Sequence, residues 1–354
     1  MQILLLIGTL FLMVLAAEIF VNGVEWLGKR LRLGEGVVGS ILAAVGTALP
    51  ETMLAMVAIF FAHDESGKHI GIGAILGAPF MLSTAAFFVT GLAVFAFSRT
   101  RGRPTEMKVN ASILSRDLRF FFIVYLLAFA SAFMPVYEIK VAVAILLVGL
   151  YALYVIRTMK EVSALPDHLN PLYLTRILNK IGNPKPAAPA GVRVVRSTSA
   201  VVALGPSVPL ILVQLAFALG LIILAANIFV SAVQFIALSM GVSALVLSLI
   251  LAPLATELPE KFNSIVWVRV GKDTLAMGNI SGAMVFQSSL PVAIGLLFTS
   301  WELTTEALVS VVIAIVSAAI VSTTLALSKK LHARTLVAVG LLYFVYLGYI
   351  AFLA

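Results

Sequence analysis

Two glutamates in a largely apolar stretch are the residues whose types and spacing first suggest chemistry. Glu257 and Glu260 lie three residues apart within the segment 242–268. Ionisable groups at membrane depth are expensive, costing roughly 2.5–3.5 kcal/mol for Asp, Lys or Arg at a helix centre, and they usually mark the path of an ion or substrate. The pair therefore indicates a functional site inside a membrane protein.

Neighbouring residues add further oxygen ligands to this site. Pro259 has no backbone N–H, so it predicts a bend that leaves the Ala255 carbonyl unpaired beside the Thr256 hydroxyl. Carboxylates, hydroxyls and carbonyls are the ligands that hard divalent cations prefer. The alternative is a kinked helix whose glutamates reach the polar headgroups.

The same pattern occurs twice in the chain. Thr-x-Leu-Pro-Glu stands at 47–51 and again 209 residues later at 256–260. Upstream, 15–26 and 224–235 match at seven of twelve positions with the same offset. Downstream, Gly-x-x-x-Gly recurs 205 residues apart, at 73–77 and 278–282. Three matches in one order predict an internal duplication.

Composition places this duplication in a membrane. The chain has 354 residues, of which 61% are hydrophobic and 11% charged, unlike a soluble domain. Ten apolar segments are long enough, or nearly so, to cross a bilayer. They are 3–27, 37–62, 71–97, 118–134, 141–156, 208–238, 242–268, 275–298, 307–327 and 336–353.

Five spans per copy fix the relation between the copies. Because five is odd, two homologous copies must enter the membrane in opposite directions, as in many secondary transporters. The predicted fold is an all-α membrane protein of ten transmembrane helices, built as two inverted five-helix repeats with broken helices at the midplane. We expect the repeats at 1–157 and 208–354, with a cytoplasmic linker at 158–207. The repeated glycines are expected to let helices approach closely.

Charge distribution excludes several classes of function. The net charge is +8, yet 21 of the 24 Lys and Arg fall in or beside loops on one side of the predicted topology. This is the positive-inside bias, so the basicity reports topology and not a nucleic-acid partner. The chain has no cysteine and no Walker motif, and therefore no thiolate metal site or sign of ATP drive.

These motifs resemble those of the cation/calcium antiporter superfamily, whose best-known branch is the sodium/calcium exchangers. The family's Gly-Thr-Ser-x-Pro-Glu motif appears at 46–51 and 255–260, and its Gly-Asn-x-x-Gly-Ser-Asn motif at 73–79 and 278–284. The resemblance implies that Glu51 and Glu260 ligate calcium, with oxygens from Thr47 and Thr256. Two carboxylates and several neutral oxygens also suit a divalent cation on chemical grounds.

The sequence departs from the family where sodium would bind. The family's serine positions are occupied here by Ala48, Glu257, Ala78 and Ala283, and the polar position four residues further on is Leu82 in one copy and Gln287 in the other. Most of the side-chain oxygens expected of sodium sites are therefore missing, which puts sodium coupling in doubt. Glu257 and Glu260, at i and i+3, should share one helix face, and keeping both ionised without a metal is unfavourable. Proton exchange becomes a contender, and Gln287 becomes either a ligand or a helix–helix hydrogen-bond donor.

The sequence predicts a secondary antiporter, not an enzyme, that exchanges a divalent cation, Ca²⁺ first, for Na⁺ or H⁺. The predicted metal site comprises Glu51, Glu260, Thr47, Thr256, Glu257 and Gln287. No cofactor is expected, because the ions are transported as substrates. The expected partners are metal cations and the lipid of a prokaryotic cell membrane. Alternatives are a cation channel, a transporter of Mg²⁺ or Mn²⁺, and an intramembrane hydrolase, which would lack a nucleophile or metal cage.

Topology gives the first testable prediction. Both termini should lie outside, and the linker should face the cytoplasm. The cysteine-free chain allows single cysteines to be introduced and labelled with a membrane-impermeant thiol reagent. A cysteine at Lys180 should react only after the membrane is opened, and one at Glu302 should react from outside. Labelling of the Lys180 position in intact cells would contradict this topology.

Overall fold

The protein is almost entirely helical. The computed structural model describes residues 2–30, 48–61, 65–159, 171–176 and 206–353. The helices of the first half are α1 (Gln2–Arg30), α2 (Leu49–Phe61), α3 (Glu65–Met81), α4 (Phe87–Arg101), α5 (Ala111–Ser131) and α6 (Tyr137–Met159). Those of the second half are α7 (Val208–Met240), α8 (Ala244–Thr256), α9 (Leu258–Arg269), α10 (Asp273–Gln287), α11 (Leu290–Phe298), α12 (Thr305–Ser328) and α13 (Ala333–Leu353).

Several of the described helices have the length and apolar character of membrane spans. In the described part of the chain, seven helical segments meet both criteria, including the continuous stretch 65–100 that contains α3 and α4. The predicted second and seventh spans correspond to the shorter apolar helices α2 and α8. The predicted fourth corresponds to α5, whose first half carries Arg116, Asp117 and Arg119. The chain is a multi-pass membrane protein, and the count of ten spans stays a prediction.

The predicted break in the seventh segment is present. Helix α8 ends at Thr256 and α9 begins at Leu258, with Glu257 between them at φ −90° and ψ 10°. Backbone hydrogen bonds reach the break from both sides, since the Glu257 N–H donates to Pro253 O at 3.2 Å and the Lys261 N–H donates to Glu257 O at 3.3 Å. Pro259 lies in the first turn of α9, where proline needs no N–H partner. The break therefore falls at Glu257 itself.

The third helix of each half is also irregular, at positions 205 residues apart. A π-helical turn, Leu82–Ala86, separates α3 from α4. In the second half, Ser288 and Ser289 separate α10 from α11. Such irregular turns often occur at functional sites.

Glycines let α3 and α8 approach each other closely. A Cβ added to Gly73 or Gly77 would lie less than 3.0 Å from backbone carbonyls of α8, at Leu245 and Leu249 respectively. The Ser248 hydroxyl of α8 donates to Ile70 O of α3 at 3.0 Å across the same contact. The predicted role of Gly73 and Gly77 is therefore confirmed.

The equivalent role of Gly278 and Gly282 stays a prediction. No described atom lies within 4 Å of a Cβ built on either glycine. An offset of 209 residues makes 36 and 40 the counterparts of Leu245 and Leu249, and this part of the chain lies outside the described residues.

Further contacts join the halves of the chain. Helix α1 packs along α7, the two helices that carry the matching segments 15–26 and 224–235. A two-stranded antiparallel sheet pairs β1 (Glu106–Met107) with β2 (Leu331–His332), joining the loop after α4 to the residues before α13. The described linker residues 171–176 dock on α1 and α7, since the Tyr173 N–H donates to Asn22 Oδ1 and the Leu174 N–H to Gln214 Oε1.

The glycine contact gives the second prediction. Gly77→Ala should destabilise the protein by about 1–3 kcal/mol, because the new methyl group meets the Leu249 carbonyl in a packed interface. Gly220→Ala in α7 is the matched control. Its Cβ meets no described atom within 4 Å, and alanine gains up to about 1 kcal/mol of helix propensity. The stability of both variants is measured as the loss of monodisperse protein on heating in detergent. Equal stability of the two variants would contradict the close approach of α3 and α8.

Candidate cation site

Glu51 is a buried carboxylate at the start of α2. Its side chain is 3% exposed, and among the described residues neither carboxylate oxygen has a hydrogen-bond partner. Thr256 lies beside it, and the Lys261 ammonium acts on it electrostatically. An unpaired charge in such a place is costly unless an ion or a proton accompanies it. Glu51 thus offers two oxygens to a cation.

Thr256 brings the end of α8 to Glu51. Its hydroxyl donates to Ala252 O, one turn earlier, at 2.9 Å, and the residue is 1% exposed. With its proton directed at Ala252, the hydroxyl oxygen keeps its lone pairs for a cation. The structure therefore brings together a predicted ligand from each half of the chain.

Gln287 joins the end of α10 to the start of α2. Its side-chain Nε2 donates to Ala48 O at 3.5 Å, one turn before Glu51. The predicted helix–helix hydrogen bond is therefore present. Its Oε1 atom is buried and has no hydrogen-bond partner in the described structure, so the same side chain also presents an oxygen.

Glu257 pairs with a residue that the sequence reasoning did not assign to the site. The Lys261 ammonium lies 3.4 Å from Glu257 Oε2, 3.0 Å from Met81 Sδ and 3.5 Å from Pro253 O. Both side chains are nearly fully buried. A Glu–Lys pair at i and i+4 is a recognisable helix signal, and this spacing could have revealed the pair.

The remaining predicted ligands stay predictions. Thr47 lies outside the described residues, and Glu260 lies in the first turn of α9 with its side chain outside the description. The contact expected between Glu257 and Glu260 is therefore not tested. The described residues include no cluster of three or more acidic or histidine side chains that could hold a metal. The predicted ligand groups that the structure describes are two carboxylates, one hydroxyl and one amide oxygen. All are oxygen ligands suited to a hard cation.

Few side-chain hydroxyls remain at the positions where this sequence departs from the family motifs. Ala48, Ala78, Leu82 and Ala283 are all buried, so apolar groups occupy the positions where the resemblance expects polar ones. The next buried hydroxyls are on Ser83 and Ser288, again 205 residues apart, and each donates back to a carbonyl three residues earlier. Sequence reasoning missed this pair, although the repeat offset would have found it.

A second buried carboxylate network supports α10. Asp117 of α5 accepts hydrogen bonds from Ser281 Oγ at 2.7 Å and Tyr154 OH at 2.8 Å, and it pairs with Arg116 at 3.4 Å. Each of these four side chains has a hydrogen-bond or ion-pair partner within the network. It holds the helix that carries Gln287 against α5 and α6.

The fold agrees with a comparison to known families. A model of the sodium/calcium exchanger protein family matches residues 1–160 and 210–354, most of the chain. The chain belongs to this family. CaxA of Alkalimonas amylolytica, named as a candidate antiporter, is 24% identical to this exchanger-family protein over 294 residues, covering 83% of the chain and 79% of CaxA.

Solved structures share the exchanger fold. The H⁺/Ca²⁺ exchanger CAX aligns with a TM-score of 0.69 and 19% identity, covering 98% of this chain and 81% of CAX. The sodium–calcium exchanger NCX_Mj, in a structure soaked with Na⁺ and Sr²⁺, aligns with a TM-score of 0.56 and 20% identity, covering 98% and 99%. At these identities the likeness establishes the fold.

Gln287 supplies the third prediction. Gln287→Leu should lower Ca²⁺ affinity by up to about tenfold, because it removes an oxygen and the hydrogen bond that fixes Ala48 one turn from Glu51. Gln214→Leu, which removes another buried amide that bonds α7 to α1, is the control and should leave affinity unchanged. Calorimetry in detergent measures both. Unchanged affinity in Gln287→Leu would leave the side chain a helix–helix contact alone.

Proposed function

We propose that this protein is a secondary antiporter that exchanges a divalent cation, Ca²⁺ first, for protons or sodium ions. The observation that carries the proposal is Glu51, whose two buried oxygens have no hydrogen-bond donor among the described residues. The Thr256 hydroxyl lies beside Glu51, and Gln287, with its unpartnered amide oxygen, contacts Ala48 one turn away. Neutral oxygens around a carboxylate complete the shell of a hard cation.

The cost of buried charge explains why such a site exchanges ions. An isolated carboxylate removed from water carries a penalty of several kcal/mol. A divalent cation offsets this penalty while it is bound. When it leaves, another positive charge has to replace it before the empty carrier can return, and this requirement couples the two ions.

Protons are the first candidate for that second charge. A proton needs only a carboxylate, whereas a sodium ion needs several neutral oxygens. The buried Ala48, Ala78, Leu82 and Ala283 supply none from their side chains. The similar structure CAX is an H⁺/Ca²⁺ exchanger, which supports this choice, whereas NCX_Mj is a sodium–calcium exchanger and represents the alternative.

The proposed architecture is two inverted five-helix repeats that alternate access to the site. The 209-residue offset, the packing of α1 on α7 and the paired irregularities after Met81 and Gln287 support it. The proposed repeats are 1–157 and 208–354, joined by the cytoplasmic linker 158–207, in a prokaryotic cell membrane. A channel would need a continuous pore, and ligands on broken helices suit alternating access better.

Flux in proteoliposomes tests the function and supplies the fourth prediction. Ca²⁺ uptake should follow an imposed proton gradient, with sodium, Mg²⁺ and Mn²⁺ tested in separate arms. Glu51→Gln and Glu260→Gln should each abolish uptake, because each keeps the size of the side chain but removes a charge that the cation needs. Glu302→Gln, at an exposed position before α12, is the matched control and should transport normally.

Several results would overturn the proposal. Uptake that survives Glu51→Gln together with Glu260→Gln would refute the carboxylate site. Currents far larger than an exchanger can carry would indicate a channel. Uptake driven by sodium alone would replace the proton as the coupling ion and leave the site in place.

A further inference from the structure

Lys261 is a buried cation beside the proposed site. It is 7% exposed, and its ammonium contacts Glu257 Oε2, Met81 Sδ and Pro253 O. Of these partners, the Glu257 carboxylate carries a charge, and the others are a thioether and a backbone carbonyl. A lysine at membrane depth is expensive and usually serves a function.

The position of Lys261 links it to both halves of the chain. Its carboxylate partner Glu257 lies at the break between α8 and α9, and its sulfur partner Met81 lies at the end of α3. The same ammonium acts electrostatically on Glu51 of α2. Lys261 therefore influences both described carboxylates of the site.

We propose that Lys261 is a tethered cation of the transport site, which sets the site's net charge to match one divalent cation. The inference rests on the proposed function. Glu51, Glu257 and Glu260 with Lys261 carry a formal net charge of −2. Without the ammonium the same carboxylates would carry −3 and would favour a trivalent ion or an additional monovalent ion.

This assignment gives Glu257 and Lys261 one joint role. Glu257 replaces a neutral hydroxyl of the family motif, and its added negative charge is offset by the lysine four residues later. The pair leaves the charge of Glu51 and Glu260 for the cargo. A merely structural ion pair would stabilise α9 and would have no effect on the preference for ion charge.

A charge-balance series separates these two roles. Four variants are compared with the wild type at a fixed pH of about 8: Lys261→Met, Lys261→Arg, Glu257→Gln, and Glu257→Gln with Lys261→Met. Binding of Ca²⁺ and of La³⁺ is measured by calorimetry in detergent. Charge per transported Ca²⁺ is measured in proteoliposomes with a voltage-sensitive dye. Size-exclusion profiles confirm folding, and Lys261→Gln replaces Lys261→Met if that variant aggregates.

The expected results follow from the net charge. Lys261→Met should raise the ratio of La³⁺ to Ca²⁺ affinity by about tenfold or more, because one unit charge has left a poorly hydrated site. Glu257→Gln should weaken Ca²⁺ binding by about tenfold or more. The double variant restores −2 and should recover Ca²⁺ affinity relative to Glu257→Gln, whereas Lys261→Arg should keep the wild-type ratio. Lys261→Met should also change the charge moved per Ca²⁺.

Lys140→Met is the matched control. This buried lysine of α6 donates to Ser300 O, and its replacement should leave the ion preference and the transported charge unchanged. An unchanged La³⁺ to Ca²⁺ ratio in folded Lys261→Met, or a double variant no better than Glu257→Gln, would overturn the role of Lys261. Failure of the wild type to bind or transport Ca²⁺ would instead overturn the proposed function.

Discussion

Burial of charge inside an apolar helical bundle is the constraint on which the rest of this structure depends. Glu51 and Glu257 are both less than 4% exposed. A carboxylate in such a place persists only with a compensating positive charge. For Glu257 the protein supplies that charge through Lys261. Among the described residues, none donates a hydrogen bond to the Glu51 carboxylate. The proposed function therefore rests on Glu51.

Close helix packing determines which groups surround these charges. The backbone of α8 approaches α3 so nearly at Gly73 and Gly77 that a methyl group would collide with its carbonyls. This contact places Lys261, just beyond the end of α8, against Met81 at the end of α3. Met81 follows Gly77 by four residues, so the close contact of α3 with α8 lies near this charge.

Irregular backbone then positions the candidate side chains. The break at Glu257 ends α8 beside Glu51, and the interruption at Ser288 follows Gln287 where it meets Ala48. In a bilayer, irregular backbone is tolerated where protein or a water-filled cavity surrounds it. Ser288, Ser289, Thr256 and Glu257 are all nearly fully buried, in agreement with that rule. The hydrogen-bonded network around Asp117 keeps α10 in place for this arrangement.

The sequence by itself indicated the helical membrane class, the repeated motifs, the family resemblance and the candidate residues Glu51, Thr256, Glu257 and Gln287. These follow from residue type and period, which reflect the local surroundings of each segment. The hydrogen bond from Gln287 to Ala48 joins residues 239 positions apart, so only the tertiary structure could show it. Tertiary structure likewise decided that Gly73 and Gly77 face carbonyls of α8. The Glu257–Lys261 spacing was visible as a helix pair, but its significance depended on Met81, 180 residues away, because packing of distant segments and not local spacing decides whether a charge is buried.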